Sequence, residues 1–313
     1  MTPVRMAVIG AGQFGKNHMR VIRSMERATL VAVVDIDAER AAAAAAQFEC
    51  EAVADIASLA GKIDAAVVAA PTTAHADIGC RLLAMGIDVL IEKPIAPSID
   101  EARRITDAGA GRVVQVGHLE QFNPAIIALR KMVTVPLFFE VHRLSLFTPR
   151  SLDVDVVLDL MIHDIDILLA LTGKMPEEIR AAGISILSRK VDIANVRLAF
   201  PGGCVANLTA SRVSTEQVRK LRLFQPHQYV SLDYGKQEIA VFAVSPQHKI
   251  GFVPTVVEKQ EPLRLELESF LDCVIARSAP LVTGAQATLA LQVSLEILAK
   301  IEEHSRIVAQ SLQ

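Results

Sequence analysis

Three glycines follow the first apolar run of the chain at fixed spacing. Gly10, Gly12 and Gly15 form the pattern GxGxxG directly after Val4–Ile9, where a strand gives way to a helical run. At this spacing the first glycine permits a tight turn, the second lets the backbone approach a pyrophosphate, and the third lets the helix pack close to the sheet. Because free N–H groups and the positive end of the helix dipole attract phosphate, the motif predicts a dinucleotide site. A glycine turn that binds no nucleotide is the structural alternative.

An acidic residue ends the second predicted strand. Asp35 follows Gly15 by about twenty residues, where its carboxylate can accept hydrogen bonds from both hydroxyls of an adenosine ribose. The same charge repels a 2′-phosphate, so the sequence favours NAD over NADP. Arg40 nearby keeps NADP open as an alternative. In this region we also expect cofactor contacts from Gln13, Phe14 and Ile36.

A lysine stands directly after the predicted strand Asp88–Ile91, in the sequence Glu92-Lys93-Pro94. Ligands of open α/β sheets bind at the carboxyl ends of the strands. Pro94 restricts Lys93 to extended conformations, which aims its side chain. We therefore expect Lys93 at a site, with Glu92 and Lys93 both near the cofactor. An ordinary surface lysine is the alternative.

Asp159, His163 and Asp166 recur at i, i+4 and i+7 in a segment otherwise rich in Leu and Ile. On one regular helix this spacing places all three on one face. Burying three polar groups is costly unless they pair or face a cleft, and Asp159 beside His163 would orient the imidazole as a base. Zinc binding is a competitor without a convincing third ligand, so we predict no metal. A purely structural network is a further alternative.

The elements that must position these residues change character along the chain. In the first third, short β-branched runs alternate with helical runs, which is typical of βαβ units around a parallel sheet. The predicted strands are Val4–Ile9, Leu30–Val34, Ala65–Ala69, Asp88–Ile91 and Val113–Val116. The predicted helices are Gly15–Met25, Ala38–Phe48, His75–Met85 and Ile99–Ala108.

Beyond Gly117 the strands alternate apolar and polar residues, as in a mainly antiparallel sheet with one face packed on a core. Pro201-Gly202-Gly203 predicts a turn that joins Ala194–Phe200 to Cys204–Ala210 as a hairpin. Further predicted strands are Leu137–Arg143, Ile179–Ile186, Arg219–Phe224, Tyr229–Leu232 and Glu238–Val244, and two apolar helical stripes follow near Leu267 and Leu295. We therefore expect a doubly wound α/β Rossmann domain over residues 1–118 and an α+β domain with a large, open, mainly antiparallel sheet over residues 119–313.

Composition excludes several classes of protein. The 313 residues carry 32 Lys and Arg against 35 Asp and Glu, a net charge of −3, which does not suit a nucleic-acid binder. No apolar stretch approaches the length of a membrane helix, so we expect no membrane partner. The four cysteines form no CxxC pair, and the first residues do not resemble an export signal. A cytoplasmic protein with free thiols is the expected result.

The motifs GAGQFG, EKP, GHLEQFNP and DLMIHDIDI, in this order and over essentially the whole chain, resemble the glucose-fructose oxidoreductase / inositol dehydrogenase / MocA family. The resemblance implies NAD(P)-dependent oxidation of a sugar or polyol hydroxyl, and a homodimer or homotetramer formed through the C-terminal sheet. It also implies that Lys93 is the catalytic lysine and that Asp159 and His163 lie beside the substrate. Pro71 and His75 match the segment over the nicotinamide, whereas Thr72 departs from the asparagine of many members, so its cofactor contact is open.

Three longer segments, among them VRKLRLFQPHQYVSLDYGKQ, resemble a bacterial branch of the family, the UDP-N-acetylglucosamine 3-dehydrogenases of lipid A diamino-sugar synthesis. A UDP-sugar is then the expected substrate, contacted by Arg143 and Asp166. Other arginines, Arg150, Arg212, Arg219 and Arg222, are compatible with a diphosphate, or are scattered surface charges. A dehydrogenase of a free polyol or hexose such as myo-inositol, and a non-catalytic dinucleotide sensor, are the alternative functions. The choice between His163 and Lys93 as base stays open.

Overall fold

The computed structural model describes residues 2–147 and 154–311, and within it the chain forms two compact units. The first unit comprises Met1–Leu119 with Glu261–Thr288, and the second comprises Glu120–Gln260 with Leu289–Gln313. This division differs from the single boundary after residue 118 that the sequence suggested. The reason is a late helix whose apolar stripe, including Leu267, Phe270 and Leu271, is buried in the core of the first unit.

The first unit contains a six-stranded sheet whose strands are all parallel. Its strands are β1 (Val4–Ile9), β2 (Ala28–Val34), β3 (Glu51–Val53), β4 (Ala65–Val68), β5 (Asp88–Glu92) and β6 (Val114–Gly117). The spatial order β3-β2-β1-β4-β5-β6 reverses between β1 and β4. This is the doubly wound arrangement that the sequence predicted, and the reversal creates a crevice at the carboxyl ends of these two strands.

Helices cover this sheet and bury apolar residues against it. They are α1 (Gln13–Arg23), α2 (Ala38–Phe48), α3 (His75–Ala84), α4 (Ile99–Ala108) and the late helix α7 (Pro262–Ala276). Asp37 caps α2 by accepting the N–H of Arg40, and Ser98 caps α4 by accepting the N–H of Glu101. The predicted helices of this half agree with these elements to within a few residues at their ends.

The second unit is built on an eight-stranded sheet in the order β14-β13-β12-β11-β7-β10-β9-β8. Its strands are β7 (Phe138–Leu146), β8 (Glu178–Ile184), β9 (Ile193–Ala199), β10 (Val205–Ser214), β11 (Val218–Gln225), β12 (Gln228–Asp233), β13 (Glu238–Val244) and β14 (Ile250–Val253). All pairings are antiparallel except that of β7 with β10. The predicted hairpin is confirmed, since Ala206 pairs with Leu198 across β9 and β10.

One face of this second sheet packs on an apolar core. That core includes residues of α5 (Pro124–Arg130), α6 (Ile162–Thr172) and the second-unit part of α8 (Gly284–Ser311). The opposite face carries a row of aromatic rings across five strands, formed by Phe138, Phe224, Tyr229, Phe242 and Phe252. Neighbouring ring centroids lie 4.9–6.0 Å apart.

No helix in the described part of the chain is long and apolar enough to cross a membrane.

Candidate functional site

A cleft of about 650 Å³ opens in the first unit at the carboxyl ends of its parallel strands. Its walls include seven of the predicted cofactor residues, namely Gly10, Gly12, Gln13, Phe14, Asp35, Ile36 and Pro71. These residues come from the β1–α1 loop, the end of β2 and the segment after β4. The cleft therefore lies where the strand order reverses, as the fold rule requires.

The three glycines of the fingerprint have distinct steric roles. A Cβ on Gly10 would lie 2.5 Å from the carbonyl oxygen of Ala69, and its φ of +105° also favours glycine. A Cβ on Gly15 would lie 1.8 Å from the carbonyl oxygen of Gly10, so the helix could not pack here with any other residue. Gly12 faces open space within 4 Å and ends the loop at the N-terminus of α1. The backbone is therefore accessible at the point where a phosphate would bind.

Asp35 is the most connected polar group of the cleft. Its carboxylate accepts the N–H of Ala11 at 2.7 Å and the N–H of Asp37 at 2.9 Å, and it pairs with both Nε (3.1 Å) and Nη2 (2.7 Å) of Arg40. Burial raises the pKa of Asp35, but the hydrogen bonds from Arg40, Asp37 and Ala11 outweigh it and hold the pKa below its ordinary value. The group is thus ionised, and Arg40 occupies positions that ribose hydroxyls would need.

Two large apolar side chains are exposed at the rim of the cleft. Phe14 is 60% exposed and Ile36 is fully exposed, and exposed apolar groups beside a polar cleft are typical of a ligand surface. Residues 54–56, Ile78 and Arg81 also line the cleft, and none of them was predicted at a site. For residues 54–56 the signal was weak because the strand that precedes them, β3, has only three residues.

The segment after β4 differs in detail from the prediction. Thr73 lines the cleft, whereas Thr72 is absent from its walls. The prediction that His75 contacts the cofactor does not fit its position, because the side chain is buried with 1% exposure. Its Nδ1 lies 3.0 Å from the carbonyl oxygen of Pro94, and its Nε2 lies 2.8 Å from that of Ala70. His75 therefore lies behind the wall of the cleft, where it contacts the backbone of Pro94 and Ala70, and does not form the surface of the cleft.

Lys93 follows β5 directly and is half-buried, and its peptide bond to Pro94 is cis. Beside it, Oε1 of Glu92 lies 2.7 Å from Nε2 of His18 on α1. Glu266 of α7 joins this pair, since ligating atoms of His18, Glu92 and Glu266 all lie within 4.8 Å of one another. Neither His18 nor Glu266 was predicted at a site.

The two carboxyl groups of this cluster have opposite pKa shifts. Burial raises the pKa of Glu92, but the hydrogen bond from His18 and the charges of Lys93 and His75 lower it below the ordinary value. Burial, and then the charge of Glu92, raise the pKa of Glu266 well above its ordinary value. Two carboxyls in one buried site cannot both ionise cheaply, and the opposite pKa shifts favour the negative charge on Glu92 over Glu266.

In the second unit, the expectation of one regular helix through Asp159, His163 and Asp166 is wrong. Residues Val157–Met161 form a π-helical turn, in which the N–H of Ile162 donates to the carbonyl of Val157, and α6 follows. Because the turn is wider than an α-helical one, the i, i+4, i+7 rule does not hold across it. Asp159 and His163 are half-buried on either side of this junction, and π turns are frequent at functional sites.

The predicted substrate contacts Asp166 and Arg143 are both buried. Asp166 is 4% exposed and accepts a hydrogen bond from Nε2 of Gln121. Arg143 is 3% exposed and pairs with Asp164 through Nε (2.7 Å) and Nη2 (2.8 Å), and with Glu120 through Nη1 (2.9 Å). Its guanidinium is already paired with two carboxylates, so the expectation that Arg143 contacts the substrate does not fit its position.

The other arginines have separate environments. Arg212 is buried and donates to the carbonyls of Val154 and Val191. Arg222 pairs with Glu140 at 2.9 Å. Arg219 is 39% exposed and lies 3.9 Å from Glu120, whereas Arg150 lies outside the described residues.

The cleft of the first unit fits a nicotinamide dinucleotide. Gly12 leaves the loop open to a pyrophosphate, and Asp35 stands at the end of β2 where a ribose would reach it. Exposed Phe14 and Ile36 supply an apolar surface.

Comparison with known proteins agrees with this geometry. A model of an oxidoreductase family with an NAD-binding Rossmann fold matches residues 4–118, and a GFO/IDH/MocA C-terminal domain model matches residues 138–225. The chain is 33% identical to the UDP-N-acetylglucosamine 3-dehydrogenase of Acidithiobacillus ferrooxidans over 96% of this chain and 98% of that protein. It is 29% identical to an inositol 2-dehydrogenase of Rhizobium meliloti over 68% of this chain and 70% of that protein. A solved structure of the A. ferrooxidans enzyme superposes with a TM-score of 0.91, at 33% identity and over 97% of this chain and 99% of that one.

Proposed function

The chain belongs to the Gfo/Idh/MocA oxidoreductase family, and from that premise we propose that it oxidises the 3-hydroxyl of UDP-N-acetylglucosamine to the 3-keto sugar. It is an NAD-dependent dehydrogenase that acts on the CH–OH group of a sugar. The observation that carries the finer proposal is the 33% identity to a UDP-N-acetylglucosamine 3-dehydrogenase over 96% of this chain, which includes the second unit. By the same resemblance, the product would pass to an aminotransferase of lipid A diamino-sugar synthesis.

The chemical task of the chain is to remove a proton from the sugar hydroxyl. NAD, when bound, accepts a hydride from the carbon that bears this hydroxyl. Lys93 and His163 are the two candidate bases, each half-buried in its own unit. Whichever group takes the proton must do so as the hydride leaves, so that the C–O single bond becomes a carbonyl.

Lys93 and Asp159 have supporting roles when His163 is the base. Lys93 is then cationic and stabilises the negative charge that develops on the hydroxyl oxygen. Asp159 fixes the tautomer of His163 and leaves one ring nitrogen available to the proton. Among the arginines of the second unit, Arg219 replaces Arg143 as the candidate for a diphosphate, because 39% of its side chain is exposed.

The test is NADH formation by the purified protein with NAD and a carbonyl trap. UDP-N-acetylglucosamine, N-acetylglucosamine and myo-inositol are compared at equal concentration. Signal with the UDP-sugar alone supports the proposal. Signal with the free sugars at equal rates contradicts it, because the nucleotide would then contribute nothing to recognition.

A free polyol is the second candidate substrate. It is favoured by the 29% identity to an inositol 2-dehydrogenase. Turnover of myo-inositol without turnover of the UDP-sugar would establish it. NADH binding without turnover of any of the three compounds would contradict both substrates and would leave another sugar to be found.

We also propose that the chain forms a homodimer or homotetramer through the open face of the second sheet. Phe224 and Phe252 in the aromatic row are 39% and 59% exposed, and Ile250 beside them is 75% exposed. A contiguous apolar patch of this kind favours a protein interface. Light scattering of the wild type and of Phe252→Glu tests it: the wild type should be oligomeric and the variant should have a lower mass.

A further inference from the structure

Three titratable side chains lie together behind the Glu92-Lys93-Pro94 motif in the first unit. His18 from α1, Glu92 from β5 and Glu266 from α7 have ligating atoms within 4.8 Å of one another. His18 is fully buried and Glu266 is 1% exposed. The mechanism proposed above uses none of these groups. Burying such groups costs free energy unless they are paired or hydrogen-bonded.

The carboxylate of Glu92 is held from two sides. Nε2 of His18 lies 2.7 Å from its Oε1, so the imidazole donates a hydrogen bond to the carboxylate. On the neighbouring strand β6, a Cβ on Gly117 would lie 3.1 Å from Oε2 of Glu92 and 3.3 Å from its Cα. Glycine at this position therefore leaves room for the side chain to lie across the strand.

The groups that face Glu92 leave one negative charge in the cluster. Lys93 and His75 lower the pKa of Glu92 by their charge, and His18 lowers it by its hydrogen bond. Glu266 faces it with a raised pKa, and its Oε1 is buried without a hydrogen-bond partner among the described residues. A protonated Glu266 would fill the buried side of the cluster without adding a second charge.

We propose that Glu92 is a positioning residue for Lys93, fixed by the hydrogen bond from His18 and by the buried side chain of Glu266 packed beside it. This inference rests on the proposed role of Lys93. A lysine side chain is long and flexible, and a fixed anion at the preceding residue restricts where its ammonium group lies. Because a displacement of about 1 Å at a reacting group can cost about 100-fold in rate, such a restriction has a measurable effect.

The first test is the pH dependence of kcat, measured with whichever sugar the protein oxidises. His18→Leu removes the imidazole donor that lowers the pKa of Glu92, so Glu92 takes up a proton at higher pH. We expect the acid limb of kcat to move up by about one to two pH units, the worth of a hydrogen bond to a charged group, with little change in KM for NAD. Glu266→Gln preserves a neutral group of the same shape, and its acid limb stays in place.

A matched control separates positioning from stability. Asp88 begins β5, and it pairs with Arg277 at the end of α7. Asp88→Asn breaks a buried contact between the same two elements at a distance from Lys93 along the strand. We expect lower stability and an unmoved acid limb. An unmoved limb in His18→Leu, or a shift in Glu266→Gln as large as that in His18→Leu, would overturn the proposal.

A second measurement does not depend on catalysis. Carbon-13 NMR of labelled glutamate side chains, assigned with Glu92→Gln and Glu266→Gln, reports the protonation of each carboxyl. We expect Glu266 to be protonated and Glu92 ionised at pH 7. Two ionised carboxyls, or a divalent metal bound stoichiometrically to the three side chains, would overturn the inference. If the carboxyls behave as expected but Lys93→Ala is fully active, the role of Lys93 has failed instead.

Discussion

The two units each contain a buried ionic cluster, and the clusters differ in how their charges are balanced. In the second unit, Arg143 contacts Asp164 and Glu120 at 2.7–2.9 Å. Burial lowers the pKa of Arg143, but the two carboxylates outweigh it and raise the pKa well above its ordinary value. The guanidinium of Arg143 therefore keeps its positive charge at any ordinary pH.

In the first unit, the cluster around Glu92 has two carboxyls, and among the described residues no arginine contributes to the shifts of their pKa values. The raised pKa of Glu266 brings its titration closer to neutral pH, so we expect the charge of this cluster to depend on pH. Perturbed titratable groups of this kind concentrate at functional sites, whereas an arginine between carboxylates is typical of a structural network. We therefore expect substitutions in the first cluster to affect turnover and those in the second to affect folding.

Lys93→Ala should produce the largest effect on turnover. Loss of a proton-transfer group or of its charge costs about 10²- to 10⁴-fold in kcat. NADH affinity, measured by fluorescence, should remain near that of the wild type. Lys62→Ala, which removes an exposed lysine 3.7 Å from Glu51 in the same unit, is the control. Full activity of Lys93→Ala would remove this lysine from the chemistry.

Arg143→Leu should produce the largest effect on stability. It leaves Asp164 and Glu120 buried without their cation, which costs about 3–5 kcal/mol of the free energy of unfolding. The chain has two tyrosines and no tryptophan, and both Tyr229 and Tyr234 lie in the second unit, so tyrosine fluorescence in urea reports on that unit. Arg222→Leu, an exposed pair with Glu140, should cost at most about 1 kcal/mol. Equal losses in the two variants would contradict the comparison.

Local patterns in the sequence were sufficient for much of the first unit. The glycine spacing and Asp35 predicted the cofactor cleft because these residues act through the backbone and through one adjacent strand end. The strands also followed from β-branched runs, apart from β3, whose three residues are too few for a periodic signal. Short elements of this kind depend on their neighbours in the sheet more than on their own sequence.

Local sequence patterns did not predict the contacts between segments that are distant in the sequence. Glu266 is 174 positions after Glu92 in the sequence, and no local feature of α7 predicts that it joins β5 and α1. Arg143 appeared to be a free cation because its partners, Glu120 and Asp164, are brought to it by the fold. The π turn at Val157–Met161 was not predicted, because its residues are equally compatible with a regular α-helix.

The pH dependence of stability should have opposite signs in the two units. Glu266 has a raised pKa in the folded protein, so unfolding releases its proton above the ordinary glutamate pKa, and stability falls as pH rises from there to the raised value. Glu266→Gln should remove this slope, about 1.4 kcal/mol per pH unit. The amide exchange rate of β5 in Glu266→Gln, divided by that of the wild type, should therefore change by about tenfold per pH unit.

Asp192 supplies the matched case in the second unit. It accepts the N–H groups of Ile186, Leu187 and Ser188 at 2.7–2.9 Å. Although burial raises the pKa of Asp192, these bonds and that of the Ser188 hydroxyl lower it far below the ordinary value. The contribution of ionised Asp192 to the free energy of unfolding is complete above the ordinary aspartate pKa, and it is lost only as pH falls below that value. Asp192→Asn should thus give a constant exchange ratio between pH 5 and 7, and a sloping ratio would contradict the assignment.

The smallest expected effect concerns Arg40. Its guanidinium is exposed, and it pairs with the partly buried carboxylate of Asp35. Arg40 and a ribose compete for the same oxygens of Asp35, so Arg40→Ala should tighten NAD binding by at most about fivefold, the worth of an exposed ion pair. It should weaken NADP binding, because Asp35 then repels a 2′-phosphate without a neighbouring cation. Arg81→Ala is the control, since Arg81 lines the same cleft but pairs with Asp55 at 2.9 Å. Titration of each variant with both dinucleotides measures the two constants. Weaker NAD binding in Arg40→Ala would show that Arg40 contacts the nucleotide directly instead of competing with it.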